Sequence, residues 1–259
     1  MAKKLFKLPT QKVTYRKTLI ASLILLGASF AQGAQLNPSN PEDYQQFRLD
    51  YSEMVEIANP DRLAWRVFYD KPSEGPDAAW FDAVKQGDLA TVKAMVENGQ
   101  DIEVKDEASL GQTALGWAAF IGYEDMVDYL LSQNADLWAT DRGDVSHVLK
   151  SAALGKNVNV FAKLYELLKD KVDINDQVHD MQGETMLIVA ASNDRYEIVD
   201  YLLKLGAEPN RVTTETDVNS PAFDQDALTF ACERGNNQVV QLLIENGAVN
   251  HRTGKPACE

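Results

Sequence analysis

Histidine, cysteine and positive charge are scarce in these 259 residues, and each shortage removes a class of function. The three histidines, His147, His179 and His251, have no metal-spaced partners of the H-E-x-x-H kind. The chain carries no glycine-rich phosphate loop and no nucleophile elbow. Lys and Arg total 25 against 39 acids, a net charge of −14 that repels phosphates and disfavours nucleic acid or anionic lipid as partners. Long apolar runs are also missing, apart from twelve residues at Leu19–Phe30, too few for a convincing membrane span. One polar cluster, Asp176, His179, Asp180 and Glu184, could suggest a metal, but it lies in a connection where solvated charges are expected. We therefore assign no catalytic residue, no cofactor and no metal, and expect a protein that is not an enzyme.

The first 31 residues point to export. Lys3, Lys4, Lys7, Lys12, Arg16 and Lys17 form a basic start with no acid before Glu42, and Ser29-Phe30-Ala31 follows the apolar run. This pattern reads as a signal peptide over 1–31, cut after Ala31, with an uncleaved amphiphilic anchor as the alternative. The long basic start fits bacterial export, so the mature chain is expected in a periplasm and off the membrane. Loss of the leader leaves 19 cations against 39 acids, a charge of −20. That excess favours solubility, or a basic protein partner.

What the chain has in abundance is repetition. From Trp80 to Asn250 an apolar residue, a small one, an anchor and a valine five places on recur. The anchors are Gly87, Gly122, Gly155, Asp194 and Gly235, spaced by 35, 33, 39 and 41 residues; the valines are Val92, Val127, Val160, Val199 and Val240. A period of this length implies stacked units, none able to bury its apolar face alone. Small pairs such as Ala118-Ala119 and Ala190-Ala191 allow close helix approach, and the anchors suit left-handed turns between two helices. Asp194 is tolerable there because Asp visits that conformation more readily than most residues.

The second copy, Gly111-Gln112-Thr113-Ala114-Leu115-Gly116-Trp117-Ala118-Ala119 with Val127, Leu130-Leu131 and Asn134-Ala135-Asp136, resembles the ankyrin repeat. The fourth and fifth copies keep much of the pattern, and the first and third keep less. The resemblance covers about two thirds of the chain. It implies an all-α solenoid of about five helix-turn-helix repeats over 77–251. A helical N-terminal segment over 32–76 precedes it, read as a cap, a partner-binding element or a flexible arm. A tail over 252–259 follows.

Ankyrin proteins usually bind partners at their hairpin tips and along the concave face of the inner helices. Carried over by position, this implies that Leu110, Gln112, Phe120, Ile121, Trp138, Arg142, Leu154, Met181, Gln182, Glu184, Asn193, Phe223 and Arg234 meet a protein partner. Leu110, Phe120, Ile121, Leu154, Met181 and Phe223 would form an exposed apolar strip, unless irregular repeats have buried them. Trp138, standing where the family prefers asparagine, reads either as an exposed anchor or as a plug. Trp80 and Trp117 read as core. The stretch Arg211 to Gln225 is long for a connection and is either a binding insertion or a tolerated one. Cys232 and Cys258 could form a disulfide in an oxidising compartment, or remain a buried thiol and a tail thiol. The expected molecule, monomeric when free, binds a partner protein. That partner is a toxic enzyme covered by an immunity-type inhibitor, or a resident enzyme such as a catalase that the chain assists; an enzymatic role is the remote alternative.

Overall fold

The period of the sequence becomes a period of helices. The computed structural model describes Arg48, Ser52, Glu53, residues 73–141 and residues 145–259, all within the unit 33–259. The expected leader, most of the expected cap and Arg142 lie outside the described residues. Among those described, ten α-helices form five hairpins. They are α1 (Ala78–Gln86) with α2 (Leu89–Glu97), α3 (Ala114–Ile121) with α4 (Glu124–Ser132), and α5 (Val148–Leu154) with α6 (Val158–Leu168). The last two are α7 (Met186–Ser192) with α8 (Tyr196–Lys204), and α9 (Ala227–Arg234) with α10 (Asn237–Glu245). The only β pairing among the described residues is three isolated bridges, Asp106–Gln112, Val212–Asp226 and Asn250–Lys255.

Composition decides which helix faces inward. Every residue of α3, α5 and α7 is buried, nearly all of them apolar or small, with Lys150 of α5 the charged exception. The second helix of each hairpin instead buries one stripe. In α4 it is Met126, Val127 and Leu130; in α8 it is Ile198, Val199 and Leu202. These residues recur at three and four positions, one helical face, while acids, tyrosines and other less buried residues occupy the rest. Inner helices pack on inner helices along α1, α3, α5, α7 and α9, and outer helices line up along α4, α6, α8 and α10. The architecture is a linear stack in which each hairpin depends chiefly on its neighbours. Helix α6 is the longest outer helix, with eleven residues where the others have nine.

The turns follow expectation with one correction. Gly87, Gly122, Gly235 and Asp194 adopt φ of 73°, 96°, 71° and 58°, the left-handed region. Gly155 does not: its φ is −78° and its ψ −175°, open to any residue. Glycine is needed there for space, because a Cβ would lie 2.4 Å from the carbonyl oxygen of Phe120.

One side chain past each of the last four anchors ties the stack together. The Tyr123 hydroxyl donates to the Lys85 carbonyl at 3.1 Å, and Asn157 Nδ2 to the Gly122 carbonyl at 2.9 Å. Arg195 Nε donates to the Leu154 carbonyl at 2.6 Å, and Asn236 Nδ2 to the Ala191 carbonyl at 2.7 Å and that of Ser192 at 3.3 Å. Each donor satisfies a carbonyl at the C-terminal end of the previous inner helix, where intrahelical bonding has run out.

At the far end Cys232 and Cys258 form a disulfide with Cα atoms 5.7 Å apart. The tail turns back through the Asn250–Lys255 bridge, and Asn250 Nδ2 donates to the Cys258 carbonyl at 2.8 Å. The stretch Arg211 to Gln225 is also ordered: Thr213 pairs with Gln225 at 2.7 Å, and the Thr214 N–H donates to the Gln182 carbonyl at 3.2 Å.

Three outcomes are expected. Asn236→Ala strands buried carbonyls and should cost about 1–3 kcal/mol, while Gly155→Ala should cost a similar amount by overpacking, about 1–3 kcal/mol; urea unfolding of each variant measures both. Reduction of the disulfide, read from the same transition with and without a thiol, should lower stability by roughly 3 kcal/mol for a closed loop of this length.

Candidate functional site

Successive helical hairpins are joined by fingers over 101–113, 136–141 with 145–147, 173–185 and 208–226, with the tail forming a last one over 250–255. A regular set of bonds holds them in register. Glu103 accepts from the Asp136 N–H at 2.8 Å, Asn175 from Glu208 at 2.8 Å, and Asn210 from Val249 at 2.9 Å. The corresponding position of the second finger is Trp138, which cannot accept. Its indole is 42% exposed and meets the His147 ring edge-on, centroids 5.8 Å apart.

The first residue of each inner helix shows a second interruption. Thr113 caps α3 by accepting from Gly116 N–H at 3.1 Å, and Thr185 caps α7 from Ile188 at 3.2 Å. Asp226 caps α9 from Thr229 at 2.7 Å in a reciprocal capping box. At the same place His147 in the third repeat, like Asp77 in the first, makes no side-chain cap. His147 is buried, and its Nδ1 has no hydrogen-bond partner among the described residues.

His147 lines a small, solvent-open pocket together with Lys150, Asp173, Asp176, Asp180 and Glu184. Lys150 is ion-paired with Asp180, and both side chains are 4% exposed. Asp180 Oδ1 also accepts from the N–H groups of Gln182 at 2.9 Å and Glu184 at 2.8 Å, so this one carboxylate shapes the finger. Asp176 accepts from His179 at 2.8 Å. Burial, reinforced by the nearby Lys150 charge, pushes the His147 imidazole down to about 4, so the ring is neutral near pH 7. A second buried pair, Lys85 with Asp106 at 2.6 Å, anchors the first finger, and Trp117 Nε1 donates to the same carboxylate at 3.0 Å.

Family models of ankyrin repeats match residues 68–141, 144–213 and 189–244, nearly all of the described stack. The chain belongs to the ankyrin-repeat family. Among curated proteins it is 30% identical over 201 residues to the palmitoyltransferase AKR1 of Lachancea kluyveri, covering 64% of this chain and 26% of that protein. It is 29% identical over 131 residues to a putative ankyrin repeat protein of Rickettsia felis, covering 50% of this chain and 41% of that one. Protein phosphatase 1 regulatory subunit 27 of Homo sapiens is 46% identical over 69 residues, 26% of this chain and 44% of the relative. The chain thus spans less than half the length of these relatives. Ankyrin architecture is typically non-enzymatic and suggests a protein partner; the likeness to a palmitoyltransferase is not evidence of catalysis here.

Within the ankyrin frame the expected binding residues separate sharply. Phe120, Ile121 and Leu154 are 1%, 3% and 4% exposed, so the continuous apolar strip does not exist. The reason is the close seating of α5 on α3 around Gly155, with Phe120 edge-on to Trp117 at 5.9 Å. Gln112 is also buried, donating to Ser151 Oγ across the repeat boundary at 3.2 Å. Asn193 is buried and bonds the Val189 carbonyl at 2.8 Å, ending its own helix. Glu184 is buried in the pocket wall, so the cluster taken for solvated loop charges is in fact partly interior.

Leu110, Gln182 and Arg234 are half-buried: Leu110 sits in a left-handed turn with φ of 61°, and the Arg234 guanidinium lies 5.5 Å over the Phe230 ring. Trp138, Met181 and Phe223 stay exposed on fingers, as do Val178 and Val218, which sequence reasoning passed over. Their signal was available: isolated large apolar residues in otherwise polar connections. The pairing of Lys150 with Asp180 had none, being 30 residues apart in sequence.

The His147 ring titrates near 4 in the fold and near 6.5 when unfolded, so the unfolded chain takes up the proton first on acidification. Its contribution is complete above pH 6.5 and is lost as the pH falls towards 4, by on the order of 3 kcal/mol. His147→Thr should therefore flatten the decline in urea midpoint between pH 7 and pH 4.5. Gain of a cap like that of Thr113 should add about 1 kcal/mol throughout.

Proposed function

We propose that this chain binds a basic partner protein through its finger face. The observation that carries the reading is the placement of exposed apolar side chains. Of the seven large ones exposed among the described residues, Trp138, Val178, Met181, Val218 and Phe223 lie on fingers, and only Leu167 and Tyr196 lie on outer helices. An apolar face that the stack could have buried but did not is suited to a partner's anchors. The charge of −14 supports a cationic partner, drawn in quickly by steering and retained by desolvated contacts.

In its most specific form the reading places the chain in a periplasm as an immunity-type inhibitor covering a toxic enzyme. The leader-like N-terminus and the acidic surface support this form. Deletion should then poison cells only when the cognate toxin is present, and harmless deletion beside an active toxin refutes it. For the surface itself, aspartate at Trp138, Met181 or Phe223 should each weaken capture of the partner at least tenfold, about 1.4 kcal/mol, with an unchanged melting temperature. Phe120→Asp should instead unfold the stack. Calorimetric titration beside thermal melts separates the two effects, and full affinity in all three surface variants would move the interface elsewhere.

A further inference from the structure

The tail is held differently from the fingers before it. Each of those has residues buried in the stack, Asp106, Val145, Glu184 and Ala222 among them; past Asn250 the tail has none, with His251 and Ala257 half-buried and the rest exposed. Its turn closes on itself, the Asn250 N–H donating to the Lys255 carbonyl at 2.9 Å and the Gly254 N–H to the Asn250 carbonyl at 2.7 Å. Two side chains reach outward. Arg252 Nε donates to the Asp224 carboxylate at 2.8 Å and Nη1 to Glu233 at 3.5 Å, with Nη2 on the Asp224 carbonyl. The His251 ring lies between two carboxylates, Nδ1 2.6 Å from Asp226 and Nε2 2.9 Å from Asp224. The Arg252, Asp224 and Glu233 side chains are 40%, 46% and 50% exposed, and ion pairs so open to water hold weakly. The strong tie is covalent, from Cys258 to Cys232 on α9. Cys232 is half-buried and Cys258 exposed, so the bridge is open to a thiol from the Cys258 side.

We infer that the Cys232–Cys258 bridge is a redox-operated latch: oxidised, it holds Arg252 against Asp224 and Glu233; reduced, it lets the tail leave while the five hairpins stay folded. The last hairpin has its own ties. Asp226 caps α9 through its other oxygen in the box with Thr229, Leu228 and Ala231 are fully buried, and Asn236 bonds the preceding repeat. The opening step needs a dithiol reductant. One of its thiolates attacks Cys258 Sγ, the S–S bond breaks, and Cys232 leaves as a thiolate that takes a proton from water. The second thiolate of the reductant then displaces Cys258, which is protonated in turn. Two electrons pass to the protein, and the reductant ends as a disulfide. The consequence rests on the basic-partner reading above. Asp224 follows the exposed Phe223 in a left-handed turn with φ of 52°. In the oxidised chain Arg252 answers carboxylates that a partner's cation would otherwise meet, so the tail is an autoinhibitory contact on the fourth finger and reduction uncovers it.

The test compares the full chain, oxidised, with the same chain reduced by dithiothreitol and blocked with N-ethylmaleimide. Reduction in native buffer should proceed at a rate that low concentrations of urea leave unchanged, because the latch opens without unfolding. Carbodiimide coupling of glycine ethyl ester, read by mass spectrometry, should modify Asp224 and Glu233 several-fold faster in the reduced chain and leave Asp226 protected. Hydrogen exchange should quicken over 250–259 and hold its oxidised rate across α7 to α10. Cys258→Ser should label like the reduced chain and ignore dithiothreitol. Arg252→Gln, which keeps the bridge, should expose Asp224 to coupling in the oxidised chain. Equal labelling of Asp224 in both states overturns the inference. So does a reduction rate that climbs steeply with urea, or loss of protection throughout α9 and α10, either of which makes the bridge a structural staple. No partner protein is needed, so failure here leaves the finger-face reading to stand or fall on the Trp138, Met181 and Phe223 variants.

Discussion

Everything in this stack rests on a bond between repeats: a side-chain donor just past each turn answers a carbonyl at the end of the preceding inner helix. A typical hydrogen bond adds only about 1 kcal/mol net, yet a buried acceptor left unanswered costs about 1–3 kcal/mol. The stack is therefore held to one spacing and one rotation by the penalty for losing these contacts. A phenol, two amides and a guanidinium do the same work at Tyr123, Asn157, Asn236 and Arg195. Any donor of adequate reach serves, which is why the position shows no residue pattern while its geometry repeats.

That fixed spacing sets the fingers. Where Glu103, Asn175 and Asn210 bond the next finger, and where threonine or aspartate caps the next helix, the loops are extensions of the scaffold. Buried ion pairs reinforce this: Lys85 with Asp106 and Lys150 with Asp180 each join a helix to a finger. Desolvation makes such pairs weak contributors to net stability, but loss of one partner leaves a buried charge costing about 3–5 kcal/mol, so they select one arrangement over its competitors. Both regular devices lapse on the second finger, and there the exposed Trp138 indole meets a neutral imidazole that lines a small pocket with several carboxylates.

Much of the architecture could be read directly from residues. The Val, Leu and Ile spacing located the outer stripes, the small pairs located the inner helices, and Asp194 took the left-handed turn assigned to it. Gly155 was the informative exception, since a glycine kept for a turn and one kept for close approach look identical in sequence. The surface was far less legible. Phe120, Ile121 and Leu154 stood at concave-face positions by family register, but all three are buried, Leu154 at the end of the shortened α5 that seats closely on α3. Met181 and Phe223 sit out on fingers and so escaped the same fate.

The amino-acid sequence by itself determined the period, the helical hairpins and the acidic character, because each follows from residues a few positions apart or from simple addition of charge. Only the tertiary structure decided which apolar side chains meet water and which charges meet each other. Those outcomes depend on how one repeat seats on the next: Phe120 is buried where the third repeat approaches the second closely, and Lys150, on a helix, finds its carboxylate on the finger that follows.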